Sequence, residues 1–145
     1  MTTLTDKISI LLANTYALCL KTQNYHWHVR GAHFKMIHEQ LEDQYKELIE
    51  AVDLIAERIV ILGQKAPATF KKFEALKTIE DGNSDLKASE MLTELRDDHQ
   101  TVIKTIHQIL KLSGEESDEG TAALLSERLV HHEKTRWMLD ASISE

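Results

Sequence analysis

The chain has 145 residues, a length that suits one domain with a substantial core. Hydrophobic residues make up 42% and charged residues 28%, which is the balance of a folded globular protein rather than a disordered one. Seventeen basic against 24 acidic side chains leave a formal charge of −7, so the surface repels phosphate backbones and anionic lipid.

With one proline and five glycines, long helices are free to form. The first is expected from about Thr5 to Arg30, with Leu4, Ile8, Leu11, Leu12 and Leu18 at helical spacing and Gly31 placed to end it. Its apolar run from Ile8 to Ala13 is far shorter than the ~20 residues that span a bilayer, and nothing resembling a secretory signal opens the chain. The lone cysteine, Cys19, excludes an intrachain disulfide and any CxxC pair, and reads as a small buried side chain. A cytoplasmic address is expected.

The second helix is the most regular. Phe34, Ile37, Leu41, Tyr45, Leu48, Val52, Ile55, Ile59 and Leu62 alternate steps of three and four, giving one core stripe on a helix roughly 43 Å long. Gly63 and Pro67 stop it. Gln64 to Asp85 then form a connection, across which Thr69 to Leu76 are expected to lay a short helix, because unstructured loops of ~20 residues are uncommon in compact domains. Leu92, Leu95, Val102, Ile106 and Ile109 mark a third long helix from about Ser89 to Leu112. Asp118 suits the N-cap of a fourth, which carries Leu125, Leu129, Trp137 and Leu139 toward the chain end. No strand pattern competes. The expectation is an all-α, ferritin-like four-helix bundle, a single domain over 1–145, with a short helix in the crossover between the second and third long helices.

Eight histidines stand out in this composition, since imidazole is the commonest transition-metal ligand. On the second helix His38 and Glu42 are four apart, as are Asp53 and Glu57, so each pair projects from one face. Acidic residues four apart also arise on any charged helix, and Glu39, Asp43, Glu47 and Glu50 share this one, so a solvated face stays open as the alternative. Axial distance then constrains the metal reading. Glu42 and Asp53 lie roughly 17 Å apart along the axis, too far for ligands that must all reach within ~2 to 2.5 Å of one ion. Two copies packed antiparallel about a two-fold axis between Glu47 and Leu48 would set His38 against Glu57 and Glu42 against Asp53, both pairs summing to 95. Such an isologous contact assembles two identical sites from halves. The intrachain di-metal motif Glu-x-x-His and the zincin motif HExxH are both absent.

The stretch Tyr25-His26-Trp27-His28-Val29-Arg30-Gly31, with Phe34, His38, Glu42, Asp53, Ala56-Glu57-Arg58, Leu62-Gly63, Pro67-Ala68-Thr69, Glu133-Lys134 and Trp137-Met138-Leu139, resembles the Dps family. These are the miniferritins named for DNA protection during starvation, and the likeness runs from about Leu4 to Ile143. The resemblance implies a hollow dodecamer that oxidises Fe(II), mainly with hydrogen peroxide, and stores Fe(III) mineral. It carries the ferroxidase ligands onto His26, His38 and Glu42 of one subunit and Asp53 and Glu57 of its two-fold mate. Glu42 stands where several relatives have Asp, which keeps a carboxylate.

Trp27, beside His26, is a candidate electron donor that would quench radicals, with interface packing as the alternative. His28, His33, His131 and His132 fall outside the family's ligand positions and read as surface or packing residues. The acidic cluster Glu115, Glu116, Asp118 and Glu119 lies where relatives line three-fold pores for Fe(II) entry, but Ala123 replaces a second acid there. DNA-binding relatives use basic tails, whereas this chain opens Met-Thr-Thr-Leu-Thr-Asp, with Lys7 as the nearest base, and ends Ala-Ser-Ile-Ser-Glu. Direct DNA binding is therefore not expected. Two alternatives remain from sequence: a shell that compacts DNA or binds protein, and a shell that handles zinc or manganese.

Overall fold

The computed structural model describes residues 2–143; Met1, Ser144 and Glu145, which belong to the two tails considered above, lie outside the described residues. Five helices follow one another: α1 (Leu4–His28), α2 (Phe34–Ile61), α3 (Phe70–Leu76), α4 (Ala88–Glu115) and α5 (Glu119–Ser142). The four long ones form the bundle, and α3 lies in the crossover. The caps explain the boundaries. Thr3 accepts from the Asp6 N–H at 3.1 Å while Asp6 returns a bond to the Thr3 N–H at 3.0 Å, a reciprocal cap on α1. Thr69 caps α3 through the Lys72 N–H at 3.1 Å, and Asp118 caps α5 through the Thr121 N–H at 3.0 Å.

α1 is the central helix, packed on α2, α3 and α4, while α4 pairs with α5. Ile8, Leu11, Leu41, Leu48, Ile55, Ile59, Leu95, Val102 and Ile106 are fully or almost fully buried, which bears out the apolar stripes. The crossover is clasped to α1 by Asn14, itself fully buried. Its amide oxygen accepts from the Thr78 and Ile79 N–H groups at 2.7 and 3.2 Å, and its nitrogen donates to Thr78 Oγ1 at 2.9 Å.

Several expectations shift in detail. α1 stops at His28 rather than Arg30, because Val29 turns to extended backbone after its N–H closes on the Tyr25 carbonyl at 2.9 Å. Gly31, at φ +125°, makes the reversal into α2. Phe34 and Trp137, placed in core stripes by spacing, are 42% and 64% exposed. Tyr45, Val52, Leu62 and Leu129 are half-buried. On α5 the inward stripe is instead Thr121, Leu125, Arg128, His132 and Leu139, so three polar side chains occupy core positions. Among the described residues, no helix is long and apolar enough to cross a membrane.

Candidate metal centre

The turn at 29–33 folds α2 back along α1 and sets His26 beside His38. Their rings stack with centroids 3.8 Å apart and planes 12° from parallel. Each Nδ1 lies 2.7 Å from the other residue's backbone carbonyl. A carbonyl only accepts, so both Nδ1 atoms carry a proton, and in the neutral ring the lone pair is on Nε2. That is the tautomer a metal requires, with the outer nitrogen held by the kind of backbone bond that orients metal-bound imidazoles.

Glu42, one helical turn beyond His38, brings Oε1 to 3.8 Å from His26 Nε2. Its Oε2 accepts from Lys46 at 2.8 Å, and this bond, with the Lys46 charge, holds the carboxyl below its usual range. One donor atom from each of His26, His38 and Glu42 lies within 4.8 Å of the others, the only such group of three or more among the described residues. Phe34 stacks on His38 at 4.9 Å and Tyr45 tilts against His26 at 5.3 Å, packing the rings from outside. His26 is 5% exposed whereas the Glu42 side chain is 38% exposed, so the donors converge on a spot that opens to one side.

Asp53 and Glu57 are exposed and lie outside this cluster, farther along α2. Trp27 is 58% exposed and lines a groove of about 440 Å³ with Tyr16, Leu20, Phe70 and Phe73, between α1 and α3. In the acidic cluster Glu115, Glu116 and Glu119 are exposed, but Asp118 is committed to capping α5 and to Arg58 at 2.8 Å. His28 turns Nδ1 onto the Asn24 carbonyl at 2.8 Å, and His33 is exposed. Cys19 is buried, and burial pushes its thiol up to about 11, which leaves it unreactive.

One polar constellation escapes a stripe reading. His99 on α4 and His132 on α5, each 1% exposed, meet Nδ1 to Nδ1 at 2.9 Å in the middle of the bundle. Arg128 donates to His132 Nε2 at 2.9 Å and makes a two-pronged pair with Glu47 of α2. Arginine only donates, so the direction is forced: His132 accepts on Nε2, donates from Nδ1 to His99, and His99 carries its proton on Nε2. Interpolating the α4 stripe between Leu95 and Val102 places His99 inward, and that is the signal that finds it.

Comparison with known proteins agrees with this architecture. The ferritin-like domain family matches residues 5–145. The chain is 30% identical over 134 residues to DNA protection during starvation protein 2 of Bacillus anthracis, covering 92% of each. It is 36% identical over 134 residues to an uncharacterized low temperature-induced protein of Nostoc sp., covering 91% of this chain and 75% of that one. A Dps protein from Vibrio cholerae O1, described as a member of a broad superfamily of ferritin-like diiron-carboxylate proteins, superposes with a TM-score of 0.93 at 29% identity, covering 99% and 98% of the two chains. Antigen TpF1 from Treponema pallidum superposes with a TM-score of 0.94 at 31% identity, covering 98% and 92%. The chain belongs to the Dps family of ferritin-like proteins.

Proposed function

We propose that this chain is the subunit of a dodecameric miniferritin that oxidises Fe(II), preferentially with hydrogen peroxide, and stores the Fe(III) product as mineral within the shell. The observation that carries this reading is the reciprocal bonding of His26 and His38, which occupies both Nδ1 atoms and leaves the Nε2 atoms beside the Glu42 carboxylate. Three donors on one side leave room for further ligands. On this reading Asp53 and Glu57 of the partner subunit supply them, across a two-fold axis near Glu47 and Leu48. Few imidazoles and several carboxylates suit the chemistry, because hard oxygen ligands favour Fe(III) over Fe(II).

In balance, two Fe(II), one hydrogen peroxide and two waters give two FeO(OH) and four protons. Both peroxide oxygens leave as oxide or hydroxide, so no hydroxyl radical need form. Where a single electron is transferred instead, Trp27 beside His26 is an electron donor that quenches the radical. DNA is protected by removal of both Fenton reagents in the cytoplasm. The net charge of −7 disfavours a DNA-compacting shell, since phosphate contacts supply affinity through counterion release.

An anaerobic Fe(II) titration followed by peroxide tests the proposal. Two Fe(II) consumed per peroxide, faster than with oxygen, is the expected result. Oxidation no faster than in buffer overturns it, and zinc bound more tightly than Fe(II) with no oxidation favours the zinc reading. The sharing of sites has its own test. A His38→Ala/Glu42→Ala variant and an Asp53→Ala/Glu57→Ala variant, each lacking fast oxidation, should recover roughly a quarter of the fast-phase amplitude when refolded together, because random pairing restores one site in each mixed pair. No recovery despite mixed pairs seen by mass spectrometry rejects sharing.

A further inference from the structure

We infer that Tyr25 is a second electron donor to the iron site, with Glu94 as the built-in acceptor of its proton. The inference rests on the ferroxidase reading and adds a residue to it. Tyr25 and His26 are neighbours in α1, about 3.8 Å apart at Cα, so one peptide unit links the phenol to a proposed ligand. His26 faces α2, while Tyr25 faces α4. Its side chain is fully buried, its hydroxyl donates to Glu94 Oε1 at 2.5 Å, and it accepts from the Asn83 N–H at 3.1 Å.

The surrounding charges point the same way. Lys21 Nζ lies 3.3 Å from Glu94 and 2.9 Å from Asp98, one cation between two carboxylates. That group carries one negative charge in excess, and losing an electron from Tyr25 removes it. A tyrosine serving only as a peg for the crossover needs the Asn83 contact but no carboxylate at 2.5 Å from its hydroxyl. Trp27 offers no comparable arrangement: it is 58% exposed.

The step balances. One-electron reduction of peroxide by Fe(II) gives Fe(III), hydroxide and a hydroxyl radical. The radical takes an electron from Tyr25 and becomes hydroxide, while the phenolic proton moves to Glu94. A neutral tyrosyl radical and a neutral carboxylic acid remain. A second Fe(II) returns the electron, Glu94 returns the proton, and the cycle closes with two Fe(III) and two hydroxides per peroxide.

Freeze-quench EPR on the assembled shell, loaded anaerobically with Fe(II) and mixed with peroxide, tests this. A tyrosyl signal is expected in wild type, Trp27→Phe and Tyr45→Phe, and its loss in Tyr25→Phe, with spin-trapped hydroxyl radical rising in that variant. Glu94→Gln keeps a hydrogen-bond acceptor but removes the base, and should lower the signal about tenfold or more. Rapid Fe(II) oxidation with a signal that persists in Tyr25→Phe, or disappears in Tyr45→Phe, overturns the assignment. Flash oxidation of the iron-free shell by a photogenerated ruthenium(III) complex separates this inference from its premise. A Tyr25 radical there, without Fe(II) oxidation in the first arm, upholds the donor and rejects the ferroxidase reading; no Tyr25 radical there rejects the donor.

Discussion

His26–His38 and His99–His132 are both close imidazole pairs, one at an end of the bundle and one in its middle. In the first, the rings stack and each Nδ1 is satisfied by a backbone carbonyl, so both Nε2 atoms face a carboxylate. In the second, the rings tilt by 46°, the two Nδ1 atoms bond to each other, and Arg128 occupies one Nε2. Cation binding is thus favoured in one pair and opposed in the other by a guanidinium at 2.9 Å. What separates a ligand pair from a structural pair is which nitrogen the fold has already used, and the sign of the nearest charge.

Acid should expose the contrast most strongly. Burial, with the Arg128 charge adding to it, pushes His99 down to about 3. Burial, His99 and Arg128 likewise hold His132 well below its usual range. Both rings stay neutral in the fold, while in the unfolded chain they take up protons near pH ~6.5. The unfolded state therefore binds more protons below that pH, and stability, full above it, falls as pH drops toward the folded value. His99 alone should cost roughly 2 kcal/mol between pH ~6.5 and ~4.5, with His132 adding in the same direction. Urea unfolding at fixed protein concentration across that range checks this, and a His99→Leu/His132→Leu variant should flatten the slope. An equally steep slope in that variant would break the contrast.

Arg128→Ala comes next. It strands a buried imidazole nitrogen and half of an ion pair, so a loss of about 3 kcal/mol is expected by the same unfolding measurement. Arg128→Met should lose less, since it refills the space.

His38→Ala should slow the fast phase of Fe(II) oxidation ~100-fold, while His132→Leu leaves that rate in place. Stopped-flow absorbance on both shells decides it, and equal slowing would mean the central pair also serves the chemistry.

The smallest effect sharpens the open pair alone. Lys46→Ala removes the cation competing for Glu42, and Fe(II) affinity by anaerobic calorimetry should tighten about twofold, the scale of an exposed ion pair.

The stripe of α2, the stop at Gly63, the cap at Asp118 and the short helix after Thr69 were all legible, because each depends on local spacing or turn chemistry. His38 and Glu42 were legible as a pair for the same reason. His26 entered only through family resemblance, since its approach to His38 depends on how the turn at Gly31 folds. The stripes misled at Phe34 and Trp137, where periodicity continues past the region that a neighbouring helix covers. They were silent on His99, Arg128 and His132, because an apolar template passes over polar residues that sit inward and bond to one another across helices.

The bond from His38 Nδ1 to the His26 carbonyl has a consequence for mutational history. That carbonyl is in the last turn of α1, where no helical N–H remains to meet it. The imidazole proposed to grip iron with one nitrogen therefore also finishes a helix with the other. A lineage that lost the chemistry could not discard His38 without loosening the end of α1, so purifying selection would persist on this residue after its first purpose had gone. Relaxed constraint would reach Asp53 and Glu57 sooner, because among the described residues no side-chain hydrogen bond or ion pair leans on them.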